Sequence, residues 1–215
     1  LVADRLLVPA PPPDGGVGLF IVDPAAPGVR RVRQDTTTGI PEALLELAGV
    51  LVGDDAVLVA PPAGGSALQW MVERATAGLC ALAVGVCETA LRMTAGYTKT
   101  REQFGRPIAT FQAVGQRAAD AYIDTEAIRL TAWQAIWRLS EGLPASEEVA
   151  VAKFWAAEGG QRVVHAAQHL HGGIGVDRDY PLHRYFLWAK WIELTLGGAT
   201  HQLLKLGTML ASEPA

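Results

Sequence analysis

Between Arg101 and Gln112 the chain gathers a guanidinium, two side-chain amides and two phenyl rings: Arg101, Gln103, Phe104, Phe111 and Gln112. A helix carrying Lys99 and Arg101 is expected to end at the breakers Gly105 and Pro107, which collects cationic and amide groups at a helix end beside Phe104. That chemistry suits a nucleotide diphosphate. It equally suits a helix C-terminus neutralised by its own Lys and Arg. A second stretch, His171-Gly172-Gly173-Ile174-Gly175, offers backbone N–H groups with no Cβ in the way, so a phosphate or a flat ring system could reach the main chain. As a bare pattern it is also an ordinary helix C-cap followed by a turn. His165 and His169 share a helix face as metal ligands would, but no Glu follows His165 in a zinc-protease pattern and neither cysteine is near. No metal site is expected. His171, His183 and His201 read as structural or surface groups rather than bases, and neither a Gly-x-Ser-x-Gly elbow nor a phosphate-binding loop occurs.

The run Thr100-Arg101-Glu102-Gln103-Phe104-Gly105-Arg106-Pro107-Ile108, followed by Phe111-Gln112, closely resembles the signature of the acyl-CoA dehydrogenase family. The glycine run, with Tyr180-Pro181 after it, stands where that family has its flavin-contacting turn. The resemblance implies FAD as cofactor, with Arg101, Gln103, Phe104, Phe111 and Gln112 reaching across a subunit interface and with Gly172 and Gly173 against the flavin. Three residues before the first glycine the family commonly has a Gln, where this chain has His169, so that contact is expected to be altered. The implied reaction is α,β-dehydrogenation of an acyl-CoA thioester, which needs a carboxylate base. At the position of the usual Glu stands Leu196, and the alternative position on the first long helix is Ala75; neither is a base. Glu73 is the candidate for a displaced base, close to Ala75 but about 200° around the helix from it. Leu187 and Trp188 replace a charged pair common in the family. The pattern resembles one subunit of actinobacterial heteromeric acyl-CoA dehydrogenases, several of which act on steroid side-chain CoA thioesters. Three readings follow: a heteromer subunit that needs a homologous partner for the base, a self-sufficient enzyme with a displaced base, or a non-catalytic structural subunit. An electron-transfer flavoprotein is the implied acceptor.

The elements that must position these residues divide by composition. Nine of thirteen prolines precede Gly64, with β-type runs at 17–22 and 30–33 between turn signals such as Pro12-Pro13-Asp14-Gly15-Gly16 and Asp23-Pro24. After Ser66, read as an N-cap, helices are predicted over about 66–101, 111–141, 145–170, 181–195 and 198–211. The second has an apolar stripe at helical spacing, Val114, Ala118, Ala121, Ile128, Ala132, Ile136 and Leu139. The expected fold is therefore α+β: a partial middle β-domain over 1–65 and a helical bundle over 66–215. The resemblance implies that the family's N-terminal α-domain lies outside these residues, and with Leu1 in place of an initiator Met the true N-terminus is expected upstream. The small-residue helices leave more apolar surface than one short bundle hides, so association is expected. Trp133, Trp137, Trp155, Trp188 and Trp191 are either core residues or interface anchors.

Composition limits the partners. With 215 residues, half of them hydrophobic, the chain can bury a real core. A net charge of -4 with scattered Lys and Arg offers no basic stripe for nucleic acid, and no uninterrupted apolar run reaches the length of a membrane span. Cys80 and Cys87 are too far apart along a helix to bridge. Free thiols and the lack of a leader in these residues make a cytoplasmic location the expectation.

Overall fold

The computed structural model describes residues 3–11, 15–61 and 63–212, so Pro12, Pro13 and Asp14 of the first turn lie outside the described residues. The chain forms two compact units, Leu1–Val72 and Glu73–Ala215.

In the first unit, β1 (Leu6–Ala10), β2 (Gly18–Val22) and β5 (Val57–Val59) form an antiparallel sheet in the order β1-β2-β5. A separate antiparallel pair joins β3 (Val29–Gln34) to β4 (Glu42–Leu47), with Val29 opposite Leu47. The runs predicted at 17–22 and 30–33 become β2 and β3. Leu19 and Val22 are both buried although strict alternation would put them on opposite faces. The register shift at Leu19/Phe20 against β5 reconciles them, since a bulge re-aims the side chains beyond it.

Helix α1 (Gly64–Thr100) starts two residues earlier than predicted. Ser66 is not its N-cap: it sits in the first turn, where its hydroxyl donates to the carbonyl of Ala63 at 2.8 Å. The start is decided instead by Gly64, where a Cβ would fall 1.9 Å from the carbonyl oxygen of Val17.

The second unit continues with a two-residue-strand hairpin, β6 (Glu102–Gln103) and β7 (Arg106–Pro107), then α2 (Gln112–Ser140), α3 (Ser146–His171), α4 (Leu182–Leu194) and α5 (Ala199–Ser212). All four helix ranges lie close to those predicted, because an apolar stripe of period 3.6 is a local pattern. The stripe predicted for α2 turns inward, with Ala121, Ile128 and Ala132 buried. Helix α3 is the centre of the unit and packs on α2, α4 and α5. Its Ala152, Ala156, Gly159 and Gly160 keep the backbone close to its neighbours: a Cβ on Gly159 would lie 3.5 Å from Ile128 Cδ1 and one on Gly160 3.7 Å from Cys87 Sγ. Ile128, fully buried in this cluster, contributes about 1.5–3 kcal/mol by burial. Buried threonines within the helices return their hydroxyls to the backbone, Thr94 to Ala90 at 2.8 Å and Thr125 to Ala121 at 2.7 Å. Cys80 and Cys87 are free and buried, and burial pushes both thiols up to about 12.

Helix α1 is long and apolar enough, by length and composition, to cross a membrane. Its Leu79, Cys80, Ala83 and Cys87 are spent on the core of the helical unit. The tryptophans divide between buried and exposed positions. Trp155 and Trp191 pack against the core and Trp188 sets its edge against Trp191, 5.5 Å between centroids. Trp133 and Trp137 are 63% and 55% exposed on α2, on a face that also bears Ile123 and Leu130. One further expectation is corrected here. The helix carrying Lys99 stops at Thr100, before Arg101, and the residues to Pro107 form the hairpin rather than a frayed helix end.

Candidate cofactor-binding hairpin and the turn at Leu196

The hairpin is closed by Phe104 (φ 55°) and Gly105 (φ 76°), both left-handed, as a two-residue turn that follows strand twist requires. Glycine takes that conformation freely, whereas for Phe104 it costs roughly 1–2 kcal/mol. The ring is nevertheless 93% exposed, resting edge-on against Phe111 at 6.2 Å between centroids. Arg106 lies over the other ring, 4.3 Å from the Phe111 centroid. It was missed as a sequence-level site residue; its place opposite Gln103 in the hairpin brings it there. Arg101 is locked at the hairpin base by its backbone, donating to Tyr97 O and accepting from Ile108 N, each at 2.8 Å, which leaves its side chain exposed. Gln103 and Gln112 are also exposed, and no side chain caps the first turn of α2.

Helix α3 ends at His171, and Gly172 (φ 65°, ψ −143°) turns the chain into a short 3-10 segment through Val176. Gly172 and Gly173 are exposed, and a Cβ on either would meet nothing within 4 Å. Gly175, by contrast, is buried, and a Cβ there would lie 2.9 Å from the carbonyl oxygen of Gln168. His169 is exposed, while Gln168 reaches the carbonyl of Gly175 at 3.4 Å.

Two motifs some seventy residues apart meet through His171. Its ring stacks on Tyr97 at 4.5 Å between centroids, four residues before Arg101 and one before Gly172. Nδ1–H donates to the Ala167 carbonyl at 2.8 Å, so neutral Nε2 accepts from the Tyr180 hydroxyl at 3.1 Å. Hairpin base and glycine turn therefore share one end of the helical unit. Burial holds the His171 pKa below its ordinary 6.5. The unfolded chain takes up this proton near 6.5 and the folded chain only at lower pH, so the stabilisation is complete above 6.5 and is lost as pH falls through the folded value. We expect the melting temperature to drop between pH 7.5 and 5.5, and His171→Gln to shrink that drop; an unchanged difference would remove His171 as its source.

The remaining sequence candidates concern a base. Leu196 occupies the turn between α4 and α5, in the left-handed region (φ 57°) and followed by Gly197 (φ 93°). Ala75 is exposed on α1. Glu73 is engaged at the start of α3, where the Ser146 hydroxyl donates to its carboxylate. Sequence reasoning missed Lys153 and Gln202, both buried, which bond the carbonyls of the Leu196 turn. The available signal was a lysine inside an Ala-rich apolar stripe of α3. A groove of about 590 Å³ between α2 and α3 contains none of the motif residues. Within it Arg162 donates twice to Asp124, at 2.6 and 2.8 Å. His165, on its rim, sets its ring edge-on to Phe186 at 4.9 Å.

Residues 63–208 match the family model described as the acyl-CoA dehydrogenase C-terminal domain. The chain belongs to the acyl-CoA dehydrogenase family. It is 50% identical to acyl-CoA dehydrogenase FadE27 of Mycobacterium tuberculosis, over all of this chain and 58% of that protein. Its fold is similar to a chain of the ChsE4-ChsE5 complex from Mycobacterium tuberculosis, with a TM-score of 0.94 and 48% identity over 100% of this chain and 57% of that one. A similar match is to the Tcur3481-Tcur3483 steroid ACAD G363A variant, with a TM-score of 0.88, 48% identity and coverage of 97% and 55%. PigA with FAD and proline matches at a TM-score of 0.90 and 25% identity, covering 98% and 57%. The chain thus spans somewhat over half the length of the relatives it matches, and the family's C-terminal domain covers α1 to α4 and α5 as far as residue 208.

Proposed function

We propose that this chain is one subunit of a heteromeric, FAD-dependent acyl-CoA dehydrogenase that oxidises the Cα–Cβ bond of a CoA thioester, with a steroid side chain as the acyl group. One observation carries the reading. The hairpin accepts backbone strain to hold Phe104 almost wholly in solvent, between Arg101 and Arg106 in sequence, while its base shares an end of the helical unit with the open glycine turn. Strain kept at an exposed aromatic residue points to a ligand or partner that covers it. The groups present fit FAD: Arg101 and Arg106 supply cations for the pyrophosphate, Phe104 and Phe111 supply ring faces, Gln103 and Gln112 supply amides. Gly172 and Gly173 are exposed with open space where a Cβ would stand, so a flat ring could lie against the main chain there; the Gly172 N–H itself is spent on the carbonyls of Gln168 and His169. His169, in the place of the customary Gln, leaves that cofactor contact altered. When bound, FAD supplies the two-electron acceptor. This chain's own residues bind and orient it, and the proton at Cα goes to a carboxylate of the homologous partner subunit, since Leu196 and Ala75 carry no titratable group. An electron-transfer flavoprotein would reoxidise the enzyme. The similarity to chains of ChsE4-ChsE5 and of a steroid ACAD supports the heteromer and the substrate class. The exposed α2 face of Ile123, Leu130, Trp133 and Trp137 supports association.

The test is native mass spectrometry with flavin absorbance, on the chain alone and then with its homologous partner. FAD retention and turnover are expected only in the mixed complex. Stoichiometric FAD bleached by an acyl-CoA in the chain alone would sink the proposal. Glu73→Gln in the mixed complex is expected to change kcat by less than about twofold. A loss of about a hundredfold, with FAD and assembly intact, would return the base to this chain.

A further inference from the structure

Lys153 is fully buried in the N-terminal third of α3, on the face that meets the α4–α5 turn. Its ammonium donates to the carbonyl of Glu193 at 3.0 Å and to that of Gly197 at 2.9 Å. From the other side, buried Gln202 donates to the carbonyls of Leu196 at 3.1 Å and Gly197 at 3.3 Å. Carbonyls from the end of α4 through Gly197 are thereby bound by two side chains. The backbone they hold is costly: Leu196 is left-handed, and a Cβ on Gly197 would come within 2.5 Å of the His201 ring. Glu193 is held a second time by its carboxylate, which accepts from Lys190 at 2.5 Å. Burying an ammonium is expensive, and burial does lower the pKa of Lys153. An apolar residue of similar length would fill the same space in an Ala-rich core without that cost. What the lysine adds is a set of donors reaching carbonyls 40 and 44 residues away. The Leu196 side chain that results is 41% exposed, held outward from a turn with little freedom to relax.

We infer that Lys153 is a positioning residue: through the carbonyls of Glu193 and Gly197 it fixes the left-handed turn at Leu196 and presents that side chain as an apolar wall of the acyl site. The acyl-site part rests on the proposed function; the clamp itself does not. Charge-assisted bonds to two carbonyls set the direction in which Leu196 points, and loosening them lets the strained residue return to an extended or right-handed conformation.

The test is a double-mutant cycle in the FAD-loaded mixed complex, with Lys153→Met, Leu196→Ala and the pair, reading KM for the acyl-CoA and kcat separately. Lys153→Met and Leu196→Ala are each expected to raise KM about tenfold with kcat nearly unchanged. The double variant should be no worse than either, because one acts through the other. Multiplying effects, or a KM within twofold in Lys153→Met, would overturn the inference. Lys153→Gln runs the same cycle if the Met variant does not assemble, and failure of both to assemble would assign Lys153 to folding alone. Amide exchange at Leu196, Gly197 and Gly198 gives a readout independent of the reaction: it should quicken at least about tenfold in Lys153→Met, and unchanged protection would overturn the clamp. A wrong functional reading would show itself in the wild-type complex, before any variant is compared.

Discussion

Gly173→Ala is expected to leave the melting temperature unchanged or slightly raised while FAD retention by the mixed complex falls by about a hundredfold. The two effects have opposite signs for separate reasons. A Cβ on Gly173 meets nothing within 4 Å, and the residue does not occupy the left-handed region, so the folded chain accepts alanine without strain. The unfolded chain meanwhile loses conformational freedom, which stabilises by about 0.4–1 kcal/mol. The added methyl group projects into the space where the cofactor is proposed to approach the main chain. Gly175→Ala is the control: its Cβ would lie 2.9 Å from Gln168 O, so it should lower the melting temperature. Equal FAD titration curves for Gly173→Ala and the wild type would remove the glycine turn from the cofactor site.

Arg101→Ala should weaken FAD binding by about 10–100-fold, the loss of one charge-assisted hydrogen bond of about 1.5–3 kcal/mol. The fold should be indifferent to it. Only the backbone of Arg101 is tied into the hairpin base, through Tyr97 and Ile108, and alanine keeps both bonds. Its side chain is exposed. Titrating FAD into the mixed complex, beside a melting curve of the chain alone, separates the two quantities. Unchanged FAD affinity would favour the plainer reading of this residue, a cation neutralising the end of α1.

The helices, the composition break near Gly64 and the inward stripe of α2 were legible because each is written in near neighbours. Residues at i, i+3 and i+4 share a face whatever lies opposite. The motif residues Arg101 to Gln112 and Gly172-Gly173 were legible as types at fixed spacing, which is enough to name a family. Their geometry was not: the left-handed Phe104-Gly105 pair converts an expected helix end into a hairpin. Ser66 misled for a similar reason, since a cap is a backbone geometry, and Gly64 beside Val17 decided where α1 begins.

By itself, then, the sequence determined the five helices, the strands at β2 and β3, their order, the family and the lack of an acid at Leu196 and Ala75. Only the tertiary structure decided that Tyr97 stacks on His171 and so brings the two motifs together, that Trp133 and Trp137 face solvent while Trp155 and Trp191 pack inward, and that Lys153 is a buried clamp. The physical reason is the same in each case. Burial and partner choice depend on groups 40 to 70 residues away along the chain, and no local periodicity specifies which distant carbonyl a lysine will meet.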